Sequence, residues 1–117
     1  MAEFNTSIKN QGAVSIINLK GYLDAHTAPI LENNFVDLID KNCYQIVVDF
    51  KDLAYISSAG LGVFMAYIEK IRDSKGDIKL SGMSDKVYNI FDLLGFPLLY
   101  EIFKSEEEAV KKFTEIK

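Results

Sequence analysis

Two hydroxyl side chains stand next to each other in the segment Asp52–Gly62, where a buried strand is predicted to give way to a helix. Ser57 and Ser58 fall at the predicted start of that helix. The free backbone N–H groups of a first turn and the positive end of the helix dipole favour an anion there. A phosphate on Ser58 would bring about −1.5 to −2 charges, and we expect the helix to tolerate it. The alternative, which this segment alone favours, is that a serine here is only an N-cap.

A second polar segment, Gly21–Thr27, follows the second predicted strand. Function in open α/β sheets tends to lie at the carboxyl ends of strands, so Asp24, His26 and Thr27 are predicted to line the same edge as Ser58. The alternative is that Asp24 and Thr27 only shape the turn and cap the next helix. We favour that alternative for Thr27 and leave both interpretations of Asp24 open. A lone loop histidine is usually just solvated, and we expect this of His26.

Two glycines stand just after the serines. Gly60 and Gly62 leave room for a partner's backbone or for a bulky active site. We therefore expect a large side chain at Gly60 to impair binding more than folding.

A catalytic interpretation of the same residues is incomplete. Ser58 and His26, with Asp24 or Asp49, could be drawn as nucleophile, base and orienting group. Ser58 does not, however, stand in a Gly-x-Ser-x-Gly motif. One histidine and one cysteine, without a carboxylate spacing pattern, make a metal site a poor match. The third glycine of a dinucleotide fingerprint is replaced by Met65. We therefore predict no catalytic residue, no metal and no cofactor.

Alternating strands and helices must position these segments. Strand patterns cover about residues 4–9, 14–19, 46–50, 78–80 and 98–103, with a turn at Gln11-Gly12 and the second strand ending at Gly21. Helices are predicted to begin near Thr27, after Ser58, at Ser84 and at Ser105; the second carries a core stripe of Leu61, Phe64, Met65 and Ile68. The pattern predicts one α/β domain over residues 1–117, with a mixed, mostly parallel sheet, an N-terminal hairpin and about four helices.

Composition narrows the partners and the compartment. The chain has 117 residues and a net charge of −4, so nucleic acid and anionic membranes are poor partners. A single cysteine, Cys43, cannot build a disulfide framework, which favours a cytoplasmic protein. No stretch is long and apolar enough to predict a membrane span.

The two polar segments resemble motifs of the STAS-domain family of anti-sigma factor antagonists. Asp52-Leu53, Tyr55-Ile56, Ser58 and Gly60-Leu61-Gly62 look like its phosphorylation-site signature. Gly21–Thr27 is similar to its other short motif, a glycine, an acidic residue and a threonine after the second strand. The resemblance extends over nearly the whole chain. This sequence departs from many relatives in having Ser57 in place of an aspartate and Ala59 in place of a hydroxyl residue.

The resemblance implies a partner-switching mechanism. The unphosphorylated form would bind an anti-sigma factor that is also an ATP-dependent serine kinase, and so free its sigma factor. The kinase would phosphorylate Ser58, with Ser57 as the alternative acceptor, and a serine phosphatase would reset the protein. The implied partner-binding residues are Asp24, His26, Thr27, Ser57, Ser58, Gly60, Leu61 and Gly62.

Two other functions stay open. One is a STAS interaction module of another signalling scaffold or of a transporter-related assembly. The other, from a different class, is a small enzyme or a nucleotide binder.

Overall fold

A β-hairpin opens the fold, as seen in a computed structural model that describes residues 3–93, 95 and 99–114. Strands β1 (Phe4–Gln11) and β2 (Val14–Leu23) pair antiparallel around Gly12, whose φ of 62° suits a tight turn. The other elements of the described chain are α1 (Ala28–Asp40), β3 (Gln45–Ile56), α2 (Ser58–Asp73), β4 (Asp77–Ser81), α3 (Asp85–Leu93), β5 (Ile102–Phe103) and α4 (Glu106–Thr114).

The strands form one sheet in the order β1-β2-β3-β4-β5. Every pair after the hairpin is parallel. The predicted fold class is thereby confirmed: a mixed, mostly parallel sheet with an N-terminal hairpin and, within the described residues, four helices. Each of these helices is too short or too polar to cross a membrane.

Helices cover both faces of the sheet, which explains the nearly unbroken apolar run of β3. The main core joins one face to α1, α2 and α3, and four phenylalanine rings lie at its centre: Phe35, Phe50, Phe64 and Phe91. On the other face, α4 packs Ala109 and Val110 against Val14, Ile16 and Val47.

Strand β3 differs from the prediction, because it continues to Ile56 instead of ending near Phe50. Its pairing with β2 shifts register twice. While β2 advances by two residues from Asn18 to Lys20, β3 advances by three, and β3 again gains one residue where β2 passes from Gly21 to Tyr22. These two β-bulges let the pairing continue. The segment Asp52–Gly62 therefore begins within β3, and its first five residues, up to Ile56, are strand instead of the loop that we expected between strand and helix.

The prediction that the second strand ends at Gly21 was wrong. Gly21 lies inside β2 with a φ of 100°. The next residue, Tyr22, donates its backbone N–H to the carbonyl oxygen of Glu3 at 2.8 Å. A Cβ atom at position 21 would collide with that same carbonyl oxygen. The glycine thus marks a close approach of two backbones, and β2 runs on to Leu23.

Two of the predicted helix caps are present near the C-terminus. Val87 donates its N–H to Ser84 Oγ at 3.2 Å, and Glu108 donates its N–H to Ser105 Oγ at 3.2 Å. The last strand is shorter than predicted, Ile102–Phe103 only, and Leu98, at which the prediction began, lies outside the described residues.

Candidate docking face at the start of α2

The two polar segments meet at the carboxyl ends of β2 and β3, as predicted. Leu23 pairs with Ile56 in the parallel register. One residue on, Ser57 donates its backbone N–H to the carbonyl oxygen of Leu23 at 2.9 Å. The turn that begins at Asp24 and the helix that begins at Ser58 are therefore joined through the backbone.

The two adjacent serines have different surroundings. Ser57 is the N-cap of α2: its φ and ψ of −101° and 173° are extended, and its Oγ accepts a long hydrogen bond of 3.4 Å from the N–H of Gly60. Its side chain is half-buried, whereas Ser58, the first residue of the helix, is exposed. The hydroxyl of Ser57 thus accepts a free N–H group of the first helical turn, whereas Ser58 is exposed to solvent.

The start of α2 is suited to an anion. Its first turn carries no acidic residue, and its basic residues Lys70 and Arg72 stand in the last turn. The first turn of α2 therefore adds no negative charge of its own to oppose the helix dipole at the end where Ser58 lies.

Asp24 and Thr27 hold the turn between β2 and α1. Asp24 Oδ1 accepts the backbone N–H groups of His26 at 3.0 Å and of Thr27 at 3.2 Å. Thr27 Oγ1 accepts the N–H of Asp24 at 3.0 Å and donates to the carbonyl oxygen of Tyr22 at 2.9 Å. Thr27 occupies the N-cap position of α1, but its side chain makes no cap hydrogen bond. The predicted cap was wrong, because this hydroxyl is used by the turn.

Two of the predicted partner-binding residues lie beneath the surface. Leu61 is only 2% exposed because it faces the main core. Gly60 is buried as well, and a Cβ atom built on it would lie 2.7 Å from Leu23 Cγ and 3.1 Å from Ile56 Cγ1. Its place is therefore one of close packing, whereas an added Cβ at Gly62 would meet no atom within 4 Å. The helical period could have shown that both residues face inward, because Gly60 and Leu61 precede Phe64 by four and three residues on the apolar side of α2.

Sequence reasoning missed part of the exposed surface. Met65 was assigned to the core stripe but is 47% exposed. It follows Ser58 and Gly62 at positions i, i+4 and i+7, so the three share one side of α2. Tyr22 and Tyr55, at the ends of β2 and β3, are also exposed, with ring centroids 6.1 Å apart.

The model of the STAS domain family matches residues 5–109 of this chain. The chain belongs to the STAS domain family.

Three relatives place this STAS domain among known proteins. The "Anti-sigma-B factor antagonist" of Bacillus subtilis is 27% identical over 107 residues, which cover 92% of this chain and 97% of that protein. The crystal structure of an anti-sigma factor antagonist from Mycobacterium paratuberculosis superposes with a TM-score of 0.89 at 19% identity, covering 97% of this chain and 96% of that one.

The third relative, the anti-sigma factor antagonist SpoIIAA, has been solved in two states. Its unphosphorylated form has a TM-score of 0.83 at 21% identity, covering 97% of this chain and 99% of that one. Its phosphorylated form, described as that of the Bacillus cell fate determinant, has a TM-score of 0.73 at 20% identity, covering 93% and 99%. These likenesses show that the STAS fold extends over nearly all of the chain.

One carboxylate considered for catalysis is engaged elsewhere in this STAS domain. Asp49 is buried, and it accepts hydrogen bonds from Ser81 Oγ at 2.9 Å and Asn18 Nδ2 at 3.3 Å. Asn18 also donates to Glu106 of α4 at 3.1 Å, so this network lies on the sheet face that α4 covers. Asp49 thus supports the contact between sheet and helix.

Glu106 completes this network on the surface. It forms an ion pair with Lys9 at 2.9 Å. Burial alone would raise the pKa of Glu106, but hydrogen bonds from Lys9 and Asn18 and the positive charges of Lys9 and Lys51 outweigh burial and lower it. Within the residues described, no group of three or more His, Cys, Asp or Glu side chains is placed to hold a metal ion.

Proposed function

We propose that this STAS domain is an anti-sigma factor antagonist that is switched by phosphate on Ser58. The unphosphorylated form binds an anti-sigma factor with serine kinase activity and thereby releases the sigma factor. The kinase modifies Ser58 and the complex dissociates, and a serine phosphatase restores the binding form. The observation that carries this proposal is the 2.9 Å hydrogen bond between Ser57 N–H and Leu23 O, which joins both motif segments beside an exposed Ser58.

Exposure and hydrogen bonding favour Ser58 over Ser57 as the acceptor. A kinase must reach the hydroxyl oxygen, and Ser58 is exposed whereas Ser57 is half-buried. Modification of Ser57 would also disturb the N-cap bond to Gly60. A phosphate on Ser57 would therefore alter the cap of α2 as well as the surface, whereas one on Ser58 would leave the cap in place.

A phosphate on Ser58 changes the surface and leaves the fold in place. It would stand at the positive end of the α2 dipole, in a first turn without acidic residues. In a complex, the same group would put about −1.5 to −2 charges into the interface. Desolvation of that charge, and repulsion from acidic groups of the partner, would weaken binding.

The docking face consists of the exposed and half-buried members of the predicted set: Asp24, His26, Thr27, Ser57, Ser58 and Gly62. Gly60 and Leu61 support this surface from below. Because Asp24 and Thr27 bond to each other and to the backbone, the turn is pre-formed. A pre-formed surface loses little conformational entropy when it binds.

Affinity capture from cells of the source organism tests the proposal. Tagged wild-type protein and Ser58→Ala should each capture an anti-sigma factor of the kinase class, and Ser58→Asp should capture less of it. The isolated protein should show no turnover of its own. Capture of other signalling or transporter components, with no anti-sigma factor, would contradict the proposal and place the protein in a different STAS assembly.

A further inference from the structure

Two tyrosine side chains form an exposed aromatic pair beside the docking face. Tyr22 and Tyr55 are 45% and 37% exposed, and their ring planes are tilted by 37° at a centroid distance of 6.1 Å. The residues that follow them, Leu23 and Ile56, are buried in the main core. The tyrosines therefore lie on the opposite side of the two strands.

A β-bulge places Tyr55 in this position. In a regular strand, alternate residues share a face, so Tyr55 would point to the same side as the buried Leu53. Here the pairing partner moves from Leu53 to Tyr55 while β2 advances only from Gly21 to Tyr22. The extra residue turns Tyr55 outward and sets it directly opposite Tyr22 in the register. Bulges next to functional sites commonly re-aim a side chain in this way.

We propose that the Tyr22–Tyr55 pair is the apolar anchor of the docking face, covered by the same anti-sigma factor kinase that reaches Ser58. This inference rests on the proposed function, since it names a further contact of the same partner. Aromatic side chains are enriched among the residues that dominate protein–protein binding energy.

Continuity with the docking face favours this occupant over any other. Thr27 Oγ1, which belongs to that face, donates to the carbonyl oxygen of Tyr22. Tyr55 is three residues before Ser58, a chain length of about 10 Å at the rise of a strand. A specific interface covers about 800 Å² on each partner. The proposed contact therefore reaches from Ser58 at the start of α2 across the ends of β2 and β3 to both rings.

The tyrosine pair should affect the affinity for the kinase, whereas Ser58 should affect the phosphorylation step itself. The rings would contribute to binding irrespective of the chemistry at Ser58, so their loss should raise the KM of Ser58 phosphorylation and leave its kcat nearly unchanged. Loss of the tyrosines should also weaken binding in a Ser58→Ala background, in which no phosphate can form. A purely structural role would instead lower the thermal stability and leave the affinity of the folded protein intact.

The test compares Tyr22→Ser, Tyr55→Ser and the double variant with Tyr88→Ser. Tyr88 is a matched control because it is 39% exposed on α3 and belongs to neither motif. The probe is the purified anti-sigma factor that wild-type protein captures, titrated by calorimetry. We expect the double variant to lose about 30-fold or more in affinity, as for two interface anchors, and Tyr88→Ser to stay within about twofold. Tyr22→Phe and Tyr55→Phe, which keep the rings, should retain most of the affinity.

A second measurement needs no loss of the side chains. In protein labelled with 3-fluorotyrosine, the ¹⁹F resonances of Tyr22 and Tyr55 should shift when the anti-sigma factor is added, and that of Tyr88 should not. If the wild-type protein binds the anti-sigma factor while the double variant binds equally well and the two resonances stay unchanged, the inference is wrong and the proposed function survives. If the wild-type protein binds no anti-sigma factor, both are wrong.

Discussion

Leu23 packs onto Gly60 so closely that a Cβ atom added to the glycine would lie 2.7 Å from Leu23 Cγ. This contact presses the first turn of α2 against the end of β2. It works together with the hydrogen bond between Ser57 N–H and Leu23 O, which fixes the same two elements through the backbone. The expectation that a large side chain at Gly60 would impair binding more than folding is therefore replaced by its opposite, because the glycine is buried against Leu23 and Ile56.

Gly60→Ala should destabilise the protein, and Gly60→Val should do so more strongly. Forcing an extra methyl group into a packed site typically costs about 1–3 kcal/mol. Gly62→Ala is the matched control in the same helix turn, since its Cβ would meet no atom within 4 Å; it should stabilise by about 0.5–1 kcal/mol. Urea unfolding gives the free energy of unfolding of all three variants, and equal stability of Gly60→Ala and wild type would contradict the packing argument.

Thr27→Val should loosen the turn before α1. The substitution keeps the shape of the side chain but removes the hydroxyl that bonds to Asp24 N–H and to Tyr22 O. Leaving those backbone groups without this partner should cost about 1–3 kcal/mol, and Thr27→Ser should recover most of it. Hydrogen exchange of the Asp24 amide is the direct readout. An unchanged exchange rate in Thr27→Val would show that the hydroxyl does not hold the turn.

The order of elements could be predicted from sequence because the apolar periods of 2 and 3.6 residues differ clearly along this chain. The bulges of β3 could not be predicted from sequence, because two adjacent outward residues such as Ala54 and Tyr55 break the alternation of a strand and resemble the start of a loop. Their strand character comes from pairing with β2, which is a tertiary contact.

The candidate site was predicted in part. The motif segments Gly21–Thr27 and Asp52–Gly62 were expected at one sheet edge, and they meet there. The burial of Gly60 was missed although it lies four residues before Phe64 on the apolar side of α2. Its close contact with Leu23 could not be predicted, since the sequence separation of the two residues is large. The outward position of Met65 was missed because a long apolar side chain on a helix is more often core than surface.

Acid should remove the stabilising contribution of Glu106. Because its pKa is lowered in the folded protein, the carboxylate stabilises the fold above the unfolded-state pKa, and this stability is lost as pH falls through the folded-state pKa. The difference in free energy of unfolding between wild type and Glu106→Gln should therefore shrink from about pH 6 to about pH 3. Glu107→Gln, an exposed neighbour, is the control. A difference that stays constant across this range would refute the role of the Lys9–Glu106 pair.

Substitution of Ser57 should affect mainly the stability of the protein, and substitution of Ser58 should affect mainly its phosphorylation. Ser57→Ala removes the N-cap and should lower stability by about 1 kcal/mol, while Ser58 remains a phosphate acceptor. Ser58→Ala should leave stability within about 0.5 kcal/mol of wild type, as for an exposed surface position, and should abolish phosphorylation. Thermal unfolding and phosphate incorporation, measured on the same two variants, give this comparison. The reverse assignment of effects would mean that the two serine roles are exchanged.

The central claim is that phosphate on Ser58 is the switch, and site mapping by mass spectrometry tests it most directly. Wild-type protein is incubated with its anti-sigma factor kinase and ATP, digested and fragmented, and the modified protein is then titrated back onto the kinase. The account predicts phosphate on Ser58, a domain that stays folded, and much weaker binding of the modified form. Phosphate on Ser57 with Ser58 unmodified, or phosphate on Ser58 with undiminished affinity, would contradict it.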